Sequence, residues 1–140
     1  MYLVAVLSLA APARVFALPA VTATAAAGVL NLDLDGEGSA STHIVKVADL
    51  SLSDGGANGI EVTISSGSLT KAGGEPVAFQ VAVVERGAAQ PSSGDFTAVS
   101  GSFSTGASAE KDLYIKYLPA SLQDPGVYAA DIDIHVSDKP

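Results

Sequence analysis

Leu122-Gln-Asp-Pro-Gly-Val-Tyr-Ala-Ala-Asp-Ile-Asp-Ile-His-Val136 is the stretch on which the reading of this chain turns. Asp124-Pro125-Gly126 has the composition of a tight turn, since Pro presets φ and Gly tolerates a positive φ. From Tyr128 onward the residues alternate. Tyr128, Ala130, Ile132, Ile134 and Val136 share one side, and Asp131, Asp133 and His135 share the other. That alternation predicts a half-buried strand. The opening Asp124-x-Gly126-x-Tyr128 has the spacing of a tyrosine corner, in which a phenol at the start of a late strand turns back onto the preceding corner. The expected partner of the Tyr128 hydroxyl is backbone in the Leu118–Leu122 region.

The same period runs upstream. Leu30, Leu32 and Leu34 alternate with Asn31, Asp33 and Asp35. Ile44–Leu52 alternates too, with a change of phase near Ala48 that predicts a β-bulge. Ile60, Val62 and Ile64 form a further set, as do Val77, Phe79, Val81 and Val83, and Leu113, Ile115 and Tyr117. Phe96–Phe103 reads as a weaker strand, and Arg86–Asp95 as the longest loop. Gly- and Pro-rich turns separate these runs, and no segment keeps a helical period over ten residues. The expectation is an all-β fold, an immunoglobulin-like antiparallel β-sandwich of seven or eight strands with an extended N-terminal segment. The 140 residues allow one such domain, over 36–140.

Composition narrows the function classes. With no Trp and aromatics at 6 %, the core must be built from small branched side chains. A net charge of −8 without Lys/Arg clusters argues against nucleic acid and anionic membranes, which need a basic patch. The absence of Cys removes thiolate metal sites, thiol catalysis and stabilising disulfides.

Residues 1–17 read as an export signal. Tyr2–Ala11 is an apolar run, Pro12 breaks it, and Val15-Phe16-Ala17 offers small residues for cleavage after Ala17. The run is shorter than the ~20 apolar residues that span a bilayer. No Lys or Arg precedes it, which a start codon further upstream would explain; the competing reading is a buried N-terminal element. Secretion or display at the cell surface is expected, with no membrane attachment after cleavage.

Candidate sites are sparse. Asp33-Leu-Asp-Gly-Glu-Gly38 places the carboxylates of Asp33, Asp35 and Glu37 within five residues, a weak hard-oxygen set for Ca²⁺ that lacks the late bidentate Glu of an EF-hand. The plainer reading is the polar face of a strand ending in a Gly turn, and no other cofactor is expected. Asp131, Asp133 and His135 read more readily as a solvated strand face than as metal ligands. The chain has no Gly-x-Ser-x-Gly elbow and too few aromatics to line a sugar cleft, so an enzyme is not expected.

Taken together, the apolar leader, the small-residue stretch Leu18–Gly28, the Gly-rich turns and the final Asp124-Pro-Gly-Val-Tyr128 strand resemble secreted bacterial fibre subunits. The spore coat protein U-like proteins and the fimbrial (chaperone–usher) pilins are the nearest comparisons. The resemblance covers roughly Val29–Asp138, and the chain departs from it in lacking a cysteine pair. It implies a structural subunit whose partner is another copy of itself, joined head to tail by donor-strand complementation. The implied donor is 18–35, with Leu30, Leu32 and Leu34 as plugs worth ~1.5–3 kcal/mol each before ordering costs. Two placements stay open: the segment completes a neighbour's sheet, or it folds back as the first strand of its own. The alternative function is a monomeric secreted binding module, Ca²⁺-stabilised, that works through loops Gly36–Thr42 and Arg86–Asp95.

Overall fold

The computed structural model describes residues 18–25, 40–53, 58–96, 100–105, 108–123 and 126–140. Eight strands appear there: β1 (Ala20–Ala25), β2 (His43–Ser53), β3 (Ile60–Ser65), β4 (Gly67–Leu69), β5 (Val77–Glu85), β6 (Ser100–Thr105), β7 (Ala109–Tyr117) and β8 (Ile134–Asp138). They form two antiparallel sheets, ordered β1-β2-β7-β5-β4 and β6-β3-β8. The all-β expectation holds, with no helix beyond a 3-10 turn at Ser93–Asp95 among the described residues.

Alternation produces the core directly. Ile60, Val62 and Ile64 from the smaller sheet share one buried cluster with Leu50, Leu52, Val77, Phe79, Val81, Leu113, Ile115 and Tyr117 from the larger one. The sheets therefore meet across their apolar faces. In β2 the phase change is a bulge: Lys46 faces Tyr114 and Ala48 faces Leu113, leaving Val47 as the extra residue. A second, smaller cluster lies on the other side of the large sheet, where Phe96 packs with Ala82 and Tyr114 beside Ile44 and Val84.

One side of the molecule is closed by a shared corner. β3 continues through Ser66 into β4 and so passes from the smaller sheet to the larger. The C-terminal segment follows it, bridging Thr70 through Ala129 and pairing with β3 from Ile134 onward. This corrects the expected final strand. Tyr128–Asp133 is not continuous ladder, because it must cross between sheets, and β8 is confined to Ile134–Asp138. The weak strand expected at Phe96–Phe103 also moves. Phe96 is spent on the smaller cluster, and β6 runs later, through Ser104 to Thr105.

Candidate functional site

The N-terminal small-residue stretch is where sequence and structure say most about partners. Ala20–Ala25 lies antiparallel on β2, from Ala20 opposite Ser53 to Ala25 opposite Ala48. It is therefore an edge strand, with its second side unpaired among the described residues. Of its side chains, Val21 packs on the main cluster while Ala20, Thr22, Ala23 and Thr24 are exposed. Attachment thus depends mainly on backbone hydrogen bonds, and residues 26–42 join β1 to β2. Part of the expected 18–35 donor segment is paired here within its own chain. The plugs Leu30, Leu32 and Leu34 lie outside the described residues, as do Asp33, Asp35 and Glu37.

The Tyr128 hydroxyl, expected on backbone of the Leu118–Leu122 region, meets instead a side chain that the spacing did not flag. The Tyr128 hydroxyl accepts a hydrogen bond from Gln123 Nε2 at 2.8 Å. Gln123 also donates to the Glu75 carbonyl at 2.8 Å and accepts from the Ala120 N–H at 3.1 Å. Tyr128 is tied in this way to the Leu118–Leu122 backbone through the Gln123 amide. Gly126 has φ 142°, a conformation that favours glycine, and the flexible Lys71 side chain passes 3.0 Å from where a Cβ would stand. The Lys71 ammonium lies 5.7 Å from the Tyr128 ring centroid, within cation–π range. Asp124 lies outside the described residues.

A charged cluster on β2 and β7 also escaped the sequence reading. Asp49 and Asp112 are direct cross-strand partners, a like-charge pairing that is unfavourable alone. Lys46 resolves it, with Nζ 2.7 Å from Asp49 Oδ1 and 2.9 Å from Asp112 Oδ1. Three residues apart, Lys46 and Asp49 would face opposite ways in a regular strand; the Val47 bulge brings them to one side. Asp112 is buried, its second oxygen accepts the Gly87 N–H at 3.0 Å, and Arg86 Nε stands 3.8 Å from the first. Arg86 also pairs with Glu110 and donates to the Leu50 carbonyl, so the start of the loop after β5 is stapled over β2 and β7.

Burial works against the Asp112 charge, but the Gly87 N–H and the Lys46 ammonium outweigh it and hold the carboxyl below its ordinary 3.8. Asp49 first, and then Asp112, hold Lys46 above its ordinary 10.5. A lowered acid stabilises above its unfolded pKa and loses that contribution as pH falls through the folded one; a raised base stabilises below its unfolded pKa and loses it as pH rises. The unfolding midpoint is therefore expected to be flat between about pH 5 and 9 and to fall on either side. Asp95, lowered by the Ser92 hydroxyl and N–H, adds to the acid limb. Asp112→Asn, followed by thermal melts across pH, should lower the plateau by about 1–3 kcal/mol and soften the acid limb. An unchanged acid limb would mean that Asp112 does not carry it.

A groove of about 560 Å³ lies along the large sheet beside Thr42, Ser68, Gln80, Lys116 and Leu118. Its Lys116 ammonium donates to the Ser93 carbonyl at 2.8 Å and sits 5.4 Å from the Phe96 ring, so it anchors the loop. Among the described residues no three His, Cys, Asp or Glu side chains come together as a metal site, Asp131, Asp133 and His135 included. Neither a family model, nor a curated protein, nor a solved structure matches this chain. The functional argument therefore rests on the residues and the topology.

Proposed function

We propose that this chain is a secreted, non-enzymatic structural subunit of an extracellular filament, with an immunoglobulin-like sandwich. Subunits of the type that spore coat protein U-like and fimbrial proteins represent would join head to tail by strand complementation at the β2 edge. The observation that supports this reading is β1 itself. It is an edge strand that, among its described side chains, has only Val21 partly buried, and the seventeen residues 26–42 connect it to β2. A hairpin between adjacent strands needs only about two to five residues. Seventeen extended residues reach roughly 55 Å, enough for β1 to pair with β2 of another copy. The same register is then available within a chain and between chains, the condition under which strands exchange. Leu30, Leu32 and Leu34 fall inside this connection and would plug the neighbour.

Cysteine-free sequence makes the test clean. Thr22 and Ser51 are register partners and both are exposed. Opposed antiparallel residues lie about 4.5–5.5 Å apart, within the range a disulfide spans. Oxidised Thr22→Cys/Ser51→Cys full-length chain is expected to run as a reducible ladder of multimers on a non-reducing gel. A single closed monomer would mean that β1 stays in its own sheet. The second reading, a monomeric surface-binding module, draws on that same intrachain pairing and would then lead.

A further inference from the structure

Asn58-Gly59 stands immediately before β3, where the chain leaves a turn and enters the smaller sheet. Asn58 is exposed and outside the ladder. Gly59 has φ 85°, a conformation that glycine takes without strain. Having no side chain, it also leaves its backbone nitrogen unscreened from the carboxamide of the residue before it. The two groups are covalent neighbours, and such an intramolecular arrangement favours their reaction. Asn31, the chain's other asparagine, is followed by Leu32, whose branched side chain crowds the corresponding nitrogen.

The same dipeptide holds the end of the C-terminal strand. The Gly59 carbonyl accepts the Lys139 N–H at 2.9 Å, one step beyond the Ile60–Asp138 pair that ends the β3–β8 ladder. β8 has no strand partner besides β3 among the described residues. Its Ile134 and Val136 side chains are partly buried, whereas Ser137, Asp138 and Lys139 are exposed. The strand end therefore depends on backbone bonds beside Gly59. Ile60 is completely buried, so β3 is not free to slide and absorb a change made at its neighbour.

We propose that Asn58 is a site of spontaneous modification, converting through a succinimide to aspartate and isoaspartate, and that the isoaspartate frees the end of β8. The Gly59 nitrogen gives its proton to solvent base and attacks Asn58 Cγ. The new N–Cγ bond closes as the Cγ–Nδ2 bond breaks, and ammonia leaves. Water then adds to either ring carbonyl. Opening at Cγ gives aspartate in an ordinary chain, and opening at the main-chain carbonyl gives isoaspartate, whose chain runs through Cβ and Cγ. Both products carry an added negative charge at neutral pH. Only isoaspartate lengthens the backbone, by a methylene, and so draws the Gly59 carbonyl out of line with Lys139.

The test ages full-length chain at mildly alkaline pH and follows it by peptide mass spectrometry, with fragmentation that distinguishes isoaspartate from aspartate. Ammonia release and the amide-to-acid mass gain are expected at Asn58 well before Asn31, faster as pH rises because the attacking nitrogen must lose its proton. Asp54-Gly55 can close the same ring but releases water and gains no mass, so these readouts belong to asparagine. Asn58→Gln needs a larger ring and should react roughly tenfold more slowly or less, at an unchanged melting temperature. Amide exchange should show Lys139 losing protection in the isoaspartate form. Asn58→Asp, which adds the charge without lengthening the chain, should keep that protection. Conversion at Asn58 in urea but not in the folded chain would mean that the turn shields it, and overturns the site. An equal mass gain in Asn58→Gln would place the reaction elsewhere and overturn it too. Conversion that leaves Lys139 protected overturns the link to β8 alone.

Discussion

Replacement of Tyr117 by Ala is expected to cost about 3–5 kcal/mol. Tyr117 is among the largest fully buried side chains, at 2 % exposure, and sits in the large sheet between His43 of β2 and Phe79 of β5. Its ring stacks on His43 with centroids 5.2 Å apart and planes inclined by 25°. Truncation removes a ring from a core that has no Trp and is otherwise made mostly of Val, Leu and Ile, none of which can reach across the gap. Because β7 is paired on both sides, the backbone cannot close in, and most of the lost volume should persist as cavity. Urea unfolding measures the effect as a lower midpoint at unchanged m-value. Tyr117→Phe keeps the ring and should lose far less. A loss below about 1 kcal/mol for the Ala variant would mean that the end of β7 is not packed as described.

The central strands were legible in the sequence because the face of each that meets the other sheet is consistently apolar. Val77, Phe79, Val81 and Val83, or Leu113, Ile115 and Tyr117, have to alternate if one side meets the core, and the phase slip near Ala48 exposed the bulge for the same reason. β1 was legible only as an extended stretch. Ala and Thr carry little burial signal, and its partner Ser53 is 33 positions away from Ala20. The final strand was overextended because Tyr128–Asp133 keeps its alternation while crossing from the edge of β4 to that of β3, and a two-residue period does not distinguish a ladder from such a crossing. The charged cluster was hidden by distance. Lys46 and Asp112 are 66 residues apart, and only the Val47 bulge turns Lys46 toward Asp49. Tyr128 announced a corner by its spacing, whereas Gln123 had no such cue: a lone polar residue between Leu122 and Asp124 reads as loop until its amide is seen among three partners.

Those three partners make Gln123→Ala the second large effect, about 2–3 kcal/mol of lost stability. The amide is buried, and its removal leaves the Glu75 carbonyl and the Ala120 N–H without the partner that satisfies them and deprives the Tyr128 hydroxyl of a donor. For a domain of this size the melting temperature should fall by roughly 6–12 °C. Tyr128→Phe deletes a single bond of the set and should cost about 1 kcal/mol. The two changes share an interaction, so the double variant should cost less than their sum by about 0.5 kcal/mol or more. Strict additivity would mean that amide and phenol stabilise the corner independently.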